Sequence, residues 1–303
     1  MVATSPDSSV NAATVTPGQT VSLVLGSGGA RGLAHIGVIE ELLARGLRVQ
    51  AISGCSMGAL VGGIFALGKL KTYRDWVTGL DQADILRLLD WTFARGGGLI
   101  HGERLMDQLR ALVGERNIED LPLDYTAVAV DIQREREVWI SDGPLFDAIR
   151  ASIAIPAVFT PHFYRGSLLV DGGLLNPVPV APTRRTFTDL TIVVDVNGGP
   201  RKPHRPLQQQ VTETVPGLLH RFRDALGGRA GASQAADIQA MALSEVLMRS
   251  LDTMQAAITR YHLAVFQPDL VISVPRDTCM VHEFHRAAPV IELGRRITRE
   301  TLG

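Results

Sequence analysis

Val21-Ser22-Leu23-Val24-Leu25 runs directly into Gly26-Ser27-Gly28-Gly29-Ala30-Arg31-Gly32, and how this stretch is read decides the fold. A short apolar run ended by glycines reads as a buried strand of a parallel sheet. Beyond it Leu33, Ile36, Ile39 and Leu43 recur at near-helical spacing until Gly46 stops the pattern. A second unit follows, a strand at Gln50-Ala51-Ile52-Ser53 and an apolar helix from Ser56 to Leu67. Strand, helix, strand, helix is the start of a wound α/β sheet.

Working outward, residues 70–115 carry helical patterns with a break at Gly96-Gly97-Gly98. Residues 124–141 read as two strands, Tyr125–Val130 and Glu137–Ile140, joined by a charged turn. Ser167–Val170 and Leu190–Val194 return to the sheet, and 197–206 is a Gly/Pro/basic surface loop. Helical patterns are expected over 211–226 and 235–264, then a last strand at Asp269–Ser273 and a C-terminal helix. Met241, Met248, Leu251, Met254, Ile258 and Tyr261 recur at helical steps, and the plainer reading of that stripe is core packing, ahead of a lid, dimer or lipid face.

Composition narrows the function classes. The chain has 303 residues, enough for one large or two small domains, with 46% hydrophobic and 20% charged residues, as ordinary globular proteins have. A formal net charge of −1 gives no long-range field toward nucleic acid or an anionic membrane, so nucleic acid is not an expected partner and any peripheral membrane contact must be local. Cys55 and Cys279 form neither a disulfide framework nor a zinc motif, and a reducing, cytoplasmic setting is the expectation. Residues 1–20 lack the basic start and apolar core of a secretory signal and read as a disordered tail. No run approaches the roughly 18 apolar residues that span a bilayer.

Three readings compete for the glycine loop. A P-loop would end in Gly-Lys-Ser/Thr, which is missing. A dinucleotide loop would need an acidic residue near the end of the second strand, where the chain has Ala51-Ile52-Ser53-Gly54. The third reading is an oxyanion hole, in which the Gly28 and Gly29 amides face the oxygen that gains charge during acyl transfer. Arg31 either positions this loop or binds a substrate phosphate.

Gly54-Cys55-Ser56-Met57-Gly58 matches the Gly-x-Ser-x-Gly elbow between a strand and a helix, with Ser56 as nucleophile. The motif alone is a weak signal; the Gly-x-Gly-Gly-x-Arg-Gly string is the rarer one. A serine hydroxyl needs a base, yet none of the eight histidines stands in a recurring motif. Asp171-Gly172-Gly173 is the better candidate, because it follows a strand and should lie at a carboxyl-terminal sheet edge. Desolvation beside Ser56 would raise the basicity of Asp171.

Gly-Ser-Gly-Gly-Ala-Arg-Gly, Gly-Cys-Ser-Met-Gly and Asp-Gly-Gly, in this order, resemble the patatin-like phospholipase family, whose members use a Ser-Asp dyad without histidine. Ala151-Ser152-Ile153-Ala154-Ile155-Pro156 and Leu174-Leu175-Asn176-Pro177-Val178-Pro179 extend the likeness, which covers about residues 21–200. The resemblance implies a three-layer α/β/α sandwich with a mainly parallel central sheet. It also implies Ser56 as nucleophile, Asp171 as base, Gly28 and Gly29 as oxyanion donors, and lipid-ester cleavage without a metal or other cofactor. Residues 201–303 match no motif and are read as a helical part of the same domain, a candidate lid or homodimer face. Leu218, Leu219, Phe222, Leu226 and the 241–261 helix are candidate linings of an acyl channel. The rival reading is a weakly catalytic lipid-binding or regulatory scaffold.

Overall fold

The computed structural model describes residues 15–90, 100–199 and 243–303, with side chains omitted at 243–245, 247 and 248. Expectations for residues 1–14, for the glycine break at 96–98, for 200–226 and for Met241 fall outside these residues, as does any statement on the Met248 side chain. The chain divides into two compact units, Met1–Gly199 with Gln255–Gly303, and Pro200–Met254. Of the second, the described part is the beginning of one helix, where the Ser250 and Thr253 hydroxyls donate back to the Val246 and Arg249 carbonyls.

In the first unit eight strands form one mixed sheet: β1 (Thr20–Leu25), β2 (Arg48–Cys55), β3 (Asp124–Asp131), β4 (Arg136–Ile140), β5 (His162–Tyr164), β6 (Ser167–Asp171), β7 (Leu190–Gly198) and β8 (Leu270–Pro275). Following hydrogen-bonded neighbours, the order is β5-β6-β3-β2-β1-β7-β8, with β4 also paired to β3. The stretch β3-β2-β1-β7-β8 is parallel throughout, while β4, β5 and β6 join by antiparallel pairing. The helices are α1 (Ala34–Ala44), α2 (Met57–Ala66), α3 (Leu70–Thr78), α4 (Gln82–Leu88), α5 (Glu103–Val113), α6 (Leu145–Ser152), α7 (Leu243–Phe266) and α8 (Ala287–Leu302).

Side-chain alternation on β1 builds the layers. Leu23 and Leu25 join the main core with α1, α2, α5, α6 and α8, whereas Val24 faces the other way, onto Val178, Val180 and Val193 beneath Leu263 and Phe266 of α7. Helices on both faces of a mostly parallel sheet make the three-layer α/β/α sandwich. Helices α1 and α2 both end as the glycines at 46 and 68 anticipate. Gly46 (φ 78°) and Gly68 (φ 71°) adopt left-handed backbone, and the bonds Leu47 N→Leu42 O and Lys69 N→Ile64 O close Schellman turns.

Two expectations change. The 251–261 stripe does not face the core throughout, since Met254 is 49% and Tyr261 70% exposed. Strand β6 is antiparallel to β3, so the parallel-edge rule is not what locates Asp171. Topology does it another way. β4 pairs with residues 127–131 of β3, overlapping the registers of both β2 and β6. A strand has two edges, so β2 and β6 must share the remaining one and meet there end to end, with Cys55 opposite Val128 and Asp171 opposite Ala129.

Candidate active site

The Gly-x-Ser-x-Gly elbow sits where β2 becomes α2. Ser56 has φ 54° and ψ −122°, a backbone that non-glycine residues rarely adopt, and it caps α2, whose first turn presents a partial positive end. Glycines allow this turn to press on its neighbours: a Cβ on Gly58 would lie 2.0 Å from the Leu25 carbonyl oxygen, and one on Gly54 would lie 2.5 Å from the Gly58 oxygen. The strained amide is braced from α6. Ser56 N donates to Ser152 Oγ at 2.9 Å, and Ser152 Oγ donates to the Val128 carbonyl at 2.6 Å, every atom buried.

Asp171 ends β6 at the same place. Its carboxyl accepts from Gly173 N at 2.7 Å and from Cys55 Sγ at 3.6 Å, and the Ser56 side chain lies beside it. Burial dominates its acidity and lifts the pKa to about 6, against the stabilising effect of these neighbours. Ser56 is 3% and Asp171 5% exposed. Burial and the adjacent carboxylate push the Cys55 thiol upward, so it stays protonated and packs as a small apolar group.

The glycine loop leaves β1 through a 3-10 turn, Gly29–Leu33, before α1 begins. It lies against the elbow, because a Cβ on Gly32 would stand 2.4 Å from Met57 Cβ. Flanking amides are occupied, with Ser27 N on the Pro177 carbonyl at 2.9 Å and Ala30 N on the Val281 carbonyl at 2.8 Å. Neither the Gly28 nor the Gly29 amide donates to an acceptor among the described residues. Gly29 has φ 56°, and a Cβ there would meet the Val281 carbonyl at 2.5 Å; one on Gly28 would meet Val196 Cγ2 at 2.4 Å. Arg31 is buried, and its guanidinium donates to the Gly28 carbonyl at 3.2 Å and the Arg276 carbonyl at 3.4 Å, the geometry of a loop tie.

Residues with no motif of their own complete the setting. His35, fully buried on α1, faces the Gly26 carbonyl through Nε2 at 2.8 Å, and desolvation lowers its pKa to about 4. The ring is therefore neutral, and a carbonyl partner requires the proton on Nε2. Asn197 Nδ2 donates to the Ser27 carbonyl at 2.7 Å, and Ser27 Oγ donates to Gln255 Oε1 of α7 at 3.3 Å. Ser152 lies in the Ala151–Pro156 segment already visible in the sequence. Nothing local in sequence marks His35, Asn197 or Gln255, whose roles arise from contacts across 9, 170 and 228 residues.

Among the described residues no group of three or more His, Cys, Asp or Glu side chains could hold a metal ion, and no helix is long and apolar enough to cross a membrane. The arrangement can pass a proton from a hydroxyl to a carboxylate beside free amide donors.

The chain is similar to several known proteins. The patatin-like phospholipase profile matches residues 23–184, more than half of the chain. An NTE family protein of Mycobacterium bovis is 40% identical over 93% of this chain and 91% of its own length. A lysophospholipase of Emericella nidulans is 31% identical over 59% of this chain, a match that spans 12% of that longer protein. Among solved structures, VipD from Legionella pneumophila aligns with 94% of this chain and 66% of its own, at 14% identity and a TM-score of 0.45.

Proposed function

Because this chain belongs to the patatin-like phospholipase family, a lipid hydrolase family, we propose that it is a serine acyl hydrolase that cleaves carboxylic esters of lipids through Ser56 and Asp171. The observation that carries this reading is the Ser56 side chain set beside a buried Asp171 carboxyl whose pKa desolvation has lifted to about 6. A carboxylate with an ordinary pKa near 4 is a poor base toward a serine hydroxyl, and one near 6 is closer to a match at neutral pH.

Ser56 Oγ attacks the ester carbonyl carbon as its proton passes to Asp171. The carbonyl oxygen gains charge opposite the Gly28 and Gly29 amides and the N-terminus of α2. The C–O bond to the alcohol breaks, Asp171 returns the proton to the leaving oxygen, and an acyl-Ser56 ester remains. Arg31 holds the Gly28 carbonyl, which keeps the donor amides in place, and this role takes precedence over phosphate binding because its guanidinium is buried. Each oxyanion donor contributes about 3 kcal/mol to barrier lowering. The substrate partner is a lipid ester, and the reaction draws on no cofactor.

The test is a fluorophosphonate label followed by intact mass, run beside a screen of ester, lysophospholipid and diacyl phospholipid hydrolysis. Wild-type protein is expected to take one label and turn over at least one lipid class, and Ser56→Ala to do neither. An unlabelled, folded wild-type protein would end the proposal.

A further inference from the structure

Acyl-Ser56 must be cleared by water, and the space over Gly173 is built for it. A Cβ on Gly173 would stand 2.8 Å from Gln255 Nε2, 3.0 Å from Asp171 Oδ1 and 3.0 Å from Ser27 Oγ. Three polar atoms, from α7, the end of β6 and the glycine loop, thus converge on one point. Gly173 is not in the left-handed backbone region, so its conformation does not call for glycine. What calls for glycine is the close approach of these side chains, since a methyl group there would crowd a carboxylate, a hydroxyl and an amide; a held water would lie beyond that point, out among the same three polar atoms.

Their chemistry fits one small molecule. Ser27 Oγ donates to Gln255 Oε1 at 3.3 Å, and Gln255 Nε2 is the end that borders Gly173. Gln255 Nε2 is then a donor, Asp171 Oδ1 an acceptor, and the Ser27 oxygen can accept, which meets the two to four partners a held water needs. Asp171 Oδ1 is part of the base itself, so a water lodged there is already hydrogen-bonded to the group that would activate it.

We propose that Gln255 and Ser27 hold the deacylating water against Asp171, with Gln255 a water-orienting residue of the second half-reaction. The proposal rests on the acyl-enzyme reading above. The water oxygen bonds to the acyl carbon as its proton moves to Asp171; the carbon–Oγ bond then breaks, Asp171 returns the proton to Ser56 Oγ, and the fatty acid leaves. Acylation needs no such water, because there the proton comes from Ser56. The two half-reactions should therefore respond differently to the loss of the Gln255 amide.

Quench-flow on the full chain with a p-nitrophenyl ester, detecting acyl-Ser56 by mass, gives the acylation and deacylation rate constants separately. Gln255→Met, close in volume but without the amide, should leave acylation within about threefold of wild type and slow deacylation about thirtyfold. Ser27→Ala, a smaller change that keeps the loop glycines, should move the same constant in the same direction. Hydroxylamine, a stronger nucleophile than water, should restore turnover more in Gln255→Met than in wild type. Equal slowing of both constants, or deacylation unchanged in either variant, overturns the water site. If wild type forms neither a fluorophosphonate adduct nor acyl-Ser56, the acyl hydrolase reading itself has failed, a result distinct from either.

Discussion

Asp171 meets opposed demands, because a buried carboxylate is a better base and a less stable residue. Its pKa of about 6 should appear as an acid limb in kcat/KM: activity falls about tenfold per pH unit below 6, where the carboxyl is protonated, and levels off above. The same shift sets a stability cost. The folded state holds this proton more tightly than the unfolded chain, so the contribution of Asp171 to stability is greatest below about pH 4 and is lost as pH rises through 6. Asp171→Asn, neutral at every pH, should abolish turnover yet raise stability at pH 7 by up to about 3 kcal/mol, with no gain at pH 4. Melting curves at the two pH values, with a pH–rate profile of wild type, check both; equal stabilisation at pH 4 and pH 7 would show that burial of the charge is not the cause. Ser56 and Asp171 could be read from sequence because glycines mark the turns that present them. His35 and Gln255 could not, since each acts through a single tertiary hydrogen bond with no local signature.

At the scale of elements, the tightest junction is where α1 crosses α8. A Cβ on Gly37 would lie 1.9 Å from the Ile291 carbonyl oxygen, and one on Gly294 would lie 2.2 Å from the Ala34 carbonyl oxygen, so each helix takes the backbone of the other into the gap its glycine leaves. Gly37→Ala or Gly294→Ala should force the helices apart and cost about 2–3 kcal/mol, the range for overpacking a filled core. Gly68→Ala makes a control: φ is 71° there and nothing lies within 4 Å of the added carbon, so only the left-handed strain of about 1 kcal/mol should appear. Chemical denaturation of the three variants measures the difference, and equal losses would show that the crossing is not close-packed. The strands of the parallel half were legible as short apolar runs, closed by glycine after β1 and β2. Leu145, Ala148 and Ile149 recur at helical steps, but over only eight residues, and three-residue β5 is too short to carry a pattern. The direction of β6 is set by its pairing with β3 and β5, which no strand encodes by itself.

Across the whole molecule, the glycine loop near the N-terminus is held by the far end of the chain. Ala30 N and the Arg31 side chain bond to the carbonyls of Val281 and Arg276, just beyond β8, and α8 covers α1. The motifs all lie before residue 200, which invites the view of a self-sufficient catalytic core with a separable C-terminal part. The packing places the stretch from Gln255 to the end in the same compact unit as the motifs. Leu270, Ile272, Val274, Val290, Ile291 and Ile297 are all buried in the main core, and at roughly 1.5–3 kcal/mol per side chain their loss amounts to on the order of 10 kcal/mol. A domain's whole stability is about 5–15 kcal/mol. A chain ending at Gln267 should therefore accumulate as insoluble protein or bind no fluorophosphonate, while Ser56→Ala in the full chain stays soluble. Expression, gel filtration and labelling of the two side by side decide between these views. A soluble, labelled truncation would mean that the oxyanion loop keeps its shape without Val281 and Arg276, and would return the C-terminal segment to the role of an accessory.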